Sequence, residues 1–110
     1  MAYRKTAFEQ LLIVRQSSLE RAVQLYLSDK GQGLDPPQLA ENFVKWIYSK
    51  IGVAPGAPIT DAQTQGLIVL QNVLTRTTEM AIRGGIEPEE IFTAAEPLLK
   101  YIYEGVDAKN

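Results

Sequence analysis

Glycine and proline cut this chain into four stretches, and each stretch repeats its apolar residues every three or four positions. That punctuation constrains the fold more than any other feature, because such periodicity between helix-stop residues specifies amphipathic helices joined by short connections. The first stretch opens at Thr6, with Glu9 at capping-box spacing. Phe8, Leu12, Leu19, Ala22, Val23 and Tyr26 mark its expected buried face, widened by Leu11, Val14 and Leu25. Gly31 and Gly33 are its expected end.

The second stretch starts at Asp35. Pro36 suits the first helical position, Gln38 the third, and Leu34 and Leu39 have staple spacing. Leu39, Phe43, Trp46 and Ile47 form its apolar face, and Gly52 stops it. The segment Val53–Pro58 carries two prolines and a glycine and is read as a stiff loop. The third helix is expected from Thr60, with Gln63 as the capping partner, to Gly84-Gly85. Leu67, Leu70, Leu74 and Ala81 make one stripe, and Val69, Val73 and Met80 an adjacent one. The fourth opens at Glu87-Pro88-Glu89-Glu90, whose charge complements the helix dipole. Its apolar face is Ile91, Phe92, Ala95, Leu98, Leu99 and Ile102, and Gly105 ends it. Pro97 lies inside, where it removes a donor and clashes with the preceding turn, so a kink or break is expected there.

No segment alternates polar and apolar residues over strand length. The predicted fold is therefore all-α, an up-and-down antiparallel four-helix bundle forming one domain over residues 1–110. Hydrophobic residues make up 45% of the chain and charged residues 22%, enough to bury a core without disulfides or metals. The first and third helices are expected to run for roughly 24 residues and the others for roughly 16, a difference of about two turns. The long helices also contain Leu11–Val14 and Leu67–Leu70, runs of four large apolar residues that point around more than half a helix. Such wide faces exceed what a monomeric bundle buries and point to a covering partner, most simply a second copy.

There is no histidine and no cysteine. A single chain of this kind has no ligands for the usual zinc sites, no thiol and no imidazole base. No metal, cofactor or enzymatic activity is expected. The net charge of −2 and the scatter of the basic residues argue against a nucleic-acid module. No apolar run reaches the length of a secretory or membrane-spanning segment, so no membrane association and a cytoplasmic location are expected.

Three groups of side chains are candidate sites. Glu87, Glu89, Glu90 and Glu96 form an acidic cluster that is read as an ordinary dipole-complementing first turn. Gln71, Asn72, Thr75, Arg76, Thr78 and Glu79 form a polar row on the third helix, matched by Gln10, Ser17 and Gln24 at seven-residue spacing on the first. Facing each other, these rows would make a strip suited to a small polar ligand, with Gln71, Thr75 and Arg76 as its candidate contacts; facing water, they are plain solvent faces. The aromatics Trp46, Tyr48, Tyr101 and Tyr103 divide between core packing and interface contacts. The expected function is a small helical protein–protein interaction or regulatory module, homodimeric through the first and third helices, with Leu11, Val14, Trp46, Leu67, Val69 and Tyr101 as interface candidates. The alternative is a bundle that binds a small polar molecule.

Overall fold

The computed structural model describes residues 6–105. Four α-helices follow one another, α1 (Ala7–Leu27), α2 (Pro36–Ile51), α3 (Asp61–Ile82) and α4 (Ile91–Glu104), with a 3-10 turn at Pro88–Glu90 leading into the last. No strand occurs among the described residues.

The helix starts follow the local chemistry. The hydroxyls of Thr6 and Thr60 and the carboxylate of Asp35 each accept from the backbone N–H three residues on. The side chains of Glu9, Gln63 and Gln38 return the contact to the cap N–H. Each box satisfies donors that a bare helix start leaves orphaned. At the fourth start, the N–H of Glu87 donates to the Glu90 carboxylate at 2.9 Å.

The helix ends correct one expectation. α1 stops at Leu27, before the glycines, because Asp29 takes the left-handed conformation (φ 58°). The Lys30 N–H then bonds Leu25 O and the Asp29 N–H bonds Tyr26 O, a Schellman motif in which Asp replaces the usual glycine. α3 closes with the same pair of bonds, from Gly85 to Met80 and from Gly84 to Ala81, with Gly84 at φ 83°. α4 is helical without interruption through Pro97; the 3-10 turn before Ile91 is the irregular piece of this segment.

The main helix pairings are α1–α2, α2–α3, α3–α4 and α1–α3. Ser17 meets Gln71, and one turn later Arg21 meets Thr75, so α1 and α3 run parallel. Arg21 also lies over Phe43 while Gln63 reaches Ile51, which sets α2 antiparallel to both. Phe43 touches Phe92 and Lys50 pairs with Glu96, so α4 descends alongside α2. The result is the expected up-down-up-down order.

The core is Leu11, Val14, Ala22 and Leu25 of α1, Leu39, Ala40, Phe43, Val44, Ile47 and Tyr48 of α2, Leu67, Leu70, Val73, Leu74 and Ala81 of α3, and Ile91 and Ala95 of α4. Val53 and Ile59 from the proline loop lie against it. Gly66 lets α3 approach the end of α2: a Cβ there would stand 3.3 Å from the Ile51 Cγ2 methyl.

α1 departs from the expected packing. Of the expected buried face only Ala22 enters the core; Phe8, Leu12, Leu19, Val23 and Tyr26 are exposed, and Leu11, Val14 and Leu25, expected only to widen that face, join Ala22 in the core. Two residues explain the choice. Ser18 and Ala22, both fully buried, sit in the middle of the inward arc. Their small size lets α2 and α3 come close, which Leu19 and Val23 would prevent. Ile102 of α4 and Met80 of α3, also placed on apolar faces by periodicity, are exposed as well.

Candidate functional site

The outer flank of α1 carries a row of exposed apolar residues. At 100° per residue, Phe8, Leu12, Leu19, Val23 and Tyr26 fall in one arc, about 110° around the helix from the arc that enters the core. Arg15 interrupts the arc near its middle and Leu27 extends it at the C-terminal end. The five stripe residues are 37–58% exposed and Leu27 is 76% exposed. Single exposed leucines are ordinary on any protein; a row of five along six turns of one helix is not.

The inward side of α1 carries a polar seam. Arg21 is 3% exposed, with no carboxylate against it among the described residues. Its Nη1 donates to Thr75 Oγ1 at 3.3 Å and to Gln71 O at 3.4 Å, and its Nη2 to Ser18 Oγ at 3.2 Å. All three bonds are long for a charged donor. The guanidinium carbon stands 5.1 Å from the centre of the Phe43 ring, and Nε has no partner. Burial pulls the Arg21 pKa down to about 10, against the opposing charge of Glu20. Next along the seam, the Ser17 hydroxyl donates to Gln71 Oε1. The Thr75 hydroxyl donates to Gln71 O at 3.0 Å. The Thr78 hydroxyl is buried and unpartnered.

A third feature is an open cleft of about 530 Å³ where the end of α2, the start of α3 and the end of α4 meet. Ile51, Leu70 and Leu99 give it an apolar floor. The Lys50–Glu96 ion pair, Lys100 and Glu104 rim it. Beside it, Trp46 stacks on Phe92 with centroids 5.5 Å apart, and Lys50 lies 5.4 Å from the Trp46 ring centre.

The structure separates the residues singled out from sequence. Leu11, Val14 and Leu67 are core residues of the single chain and have no surface to offer a second one. The core takes them first: Leu11 and Val14 from α1 and Leu67 from α3 belong to the same buried cluster. Trp46 and Val69 are half-buried against the core, and Tyr101 is exposed. Of the polar row, Gln71 and Thr75 turn toward α1, where Ser17 and Arg21 occupy their polar atoms. Arg76 points the other way and pairs with Glu79 at 2.7 Å on the open surface. Gln71, Thr75 and Arg76 therefore do not converge. The acidic residues form no group of three or more able to hold a metal ion among the described residues. No helix there is long and apolar enough to cross a membrane.

Two features escaped the sequence. Arg21 looked like one of many scattered basic residues; its position four after Ser17, on the edge of the Leu11–Leu25 arc, was the available signal. Tyr48 is buried rather than tipped into solvent, and its hydroxyl has no partner. Burial raises its pKa, with Arg15 acting in the opposite direction.

Comparison with protein-family models, curated proteins and solved structures yields no match, so the functional reading rests on these residues alone.

Proposed function

We propose that this chain is a small helical protein–protein interaction module that works as a homodimer, with the outer flank of α1 as its docking face. The observation that carries this reading is the second apolar arc of α1, left uncovered outside the core along the whole length of the helix. Filled from phenylalanine to tyrosine along the whole helix, such an arc is costly to leave in water and inexpensive to cover with a copy of itself. Of the first and third helices, the docking face is narrowed to α1, since the Leu67–Leu70 run of α3 is largely consumed by the core and only Ile68 is left strongly exposed.

The test is the solution mass by light scattering over a dilution series, with Leu19→Glu as the comparison. The wild-type chain is expected at twice its chain mass down to low micromolar concentration. The variant, with a charge in the centre of the stripe, is expected as a folded monomer. A wild-type monomer at all concentrations overturns the reading.

A further inference from the structure

Building on the proposed self-association, we infer that the two copies of α1 pair antiparallel about a two-fold axis near Ser17, so that Phe8 of each packs on Tyr26 of the other. The arrangement of the stripe carries this. Phe8 and Tyr26 stand nine residues to either side of Ser17, and Leu12 and Val23 stand five and six residues from it. The arc thus reads aromatic, aliphatic, centre, aliphatic, aromatic in both directions. A two-fold interface must match its own reversed image, and this one does.

Parallel pairing in register is the other two-fold arrangement, and the centre of the stripe opposes it. It would set Arg15 against Arg15 of the second copy, in the middle of an apolar contact and with no carboxylate in the arc to separate them. In the antiparallel arrangement Arg15 lies opposite Leu19 of the second copy, where its aliphatic stem covers the leucine and its head reaches the edge. The helix dipoles also oppose rather than align.

The area fits one contact and no more. From its fractional exposures, and with aromatic side chains of 150–250 Å², the stripe with Leu27 offers on the order of 500 Å² per copy. Two copies would bury about 1,000 Å², the lower edge of a specific interface. A reversible dimer, with dissociation in the micromolar range, is the expected outcome rather than an obligate one.

The chain has no cysteine, so introduced thiols report contacts without background. Phe8→Cys and Tyr26→Cys are made separately, checked for dimer mass, and oxidised alone and as an equimolar mixture. Antiparallel pairing gives a cross-linked dimer in the mixture and none from either variant alone, since like positions lie about 27 Å apart at 1.5 Å per residue. Parallel pairing gives the reverse, each variant cross-linking to itself. That result overturns the orientation and leaves self-association standing. If losing an aromatic weakens the dimer, Leu12→Cys with Val23→Cys asks the same question inside the stripe. Dimers of normal mass that form no mixed disulfide with either pair place the contact elsewhere and overturn the inference. A wild-type monomer at every concentration removes the underlying reading itself.

Discussion

Replacing Arg21 with methionine is expected to stabilise the fold. The guanidinium is buried, forms no ion pair among the described residues, and makes three bonds of 3.2–3.4 Å. Burial pulls its pKa well below the usual arginine range, to about 10, so the folded state disfavours the charge. At 1.36 kcal/mol per unit, that penalty is roughly 3 kcal/mol. Methionine keeps most of the apolar stem and removes the charge, but Ser18 Oγ, Thr75 Oγ1 and Gln71 O each lose a long bond and Phe43 its cation, together a cost of about 1–2 kcal/mol. The net expectation is a gain of about 1–2 kcal/mol at pH 7, in line with other buried charges replaced by apolar residues.

The sign of the pH dependence is fixed by the same shift. Above pH 10 the unfolded chain holds the Arg21 proton more firmly than the folded chain does, so the wild-type protein recovers part of the penalty as pH rises further. Below pH 10 the full penalty applies. The advantage of Arg21→Met should therefore be constant at neutral pH and shrink above pH 10. Urea titration at fixed protein concentration, followed by the fluorescence of the single tryptophan, Trp46, measures both quantities. A variant less stable than wild type by 1 kcal/mol or more at pH 7 would refute the reasoning, because it would mean that the charge is compensated in the folded protein.

Two further outcomes test the packing. Tyr48→Phe removes a buried hydroxyl without a partner and is expected to be neutral or stabilising by about 1 kcal/mol in the same titration. Because burial raises the Tyr48 pKa, the wild-type fold holds this proton longer than the unfolded chain does, and so loses stability above pH 10 in a way that the phenylalanine variant does not. Thr60→Ala deletes the hydroxyl that accepts from the Gln63 N–H and should cost about 1 kcal/mol, read as a lower urea midpoint with an unchanged slope.

The sequence made the helix starts legible because capping is local. Thr6 with Glu9, Asp35 with Gln38, and Thr60 with Gln63 each decide their geometry within four residues. The end of α1 was less legible. Glycine is the better left-handed residue, yet Asp29 takes that role two residues before Gly31, at the point where the core contacts of α1 finish with Leu25. The orientation of α1 about its own axis could not be read from periodicity, since two neighbouring arcs are both apolar enough to be the core. What separates them is side-chain size. Ser18 and Ala22 admit two neighbouring helices, and the same choice carries Arg21 inward and places the phenylalanine-to-tyrosine stripe outside. The polar row showed the same limit. Spacing left open whether the two rows face each other or water; Ser17 and Gln71 do meet, but Arg76 lies one residue too far around α3 to join them.

That choice ties the candidate interface to the buried charge. Judged only by apolar content, the better arc of α1 is the one outside, and turning the helix by about 110° would bury it and release Arg21 to water. If the bundle held such a turned form in reserve, covering the stripe with a second copy would stabilise the arrangement that buries Arg21. Association and the cost of the charge would then be linked. If instead the small residues of the inner arc fix the helix in one orientation, the two faces act independently. Arg21→Met separates these cases through the dimer dissociation constant, measured by light scattering beside the urea titration. The complete burial of the small residues Ser18 and Ala22 favours independence. The expected result is a more stable protomer with a dissociation constant within about twofold of wild type, as additivity requires of sites on separate faces. A tenfold change, at 1.4 kcal/mol per decade, would mean that most of the energy released at Arg21 reaches the interface, and that α1 moves between its two faces.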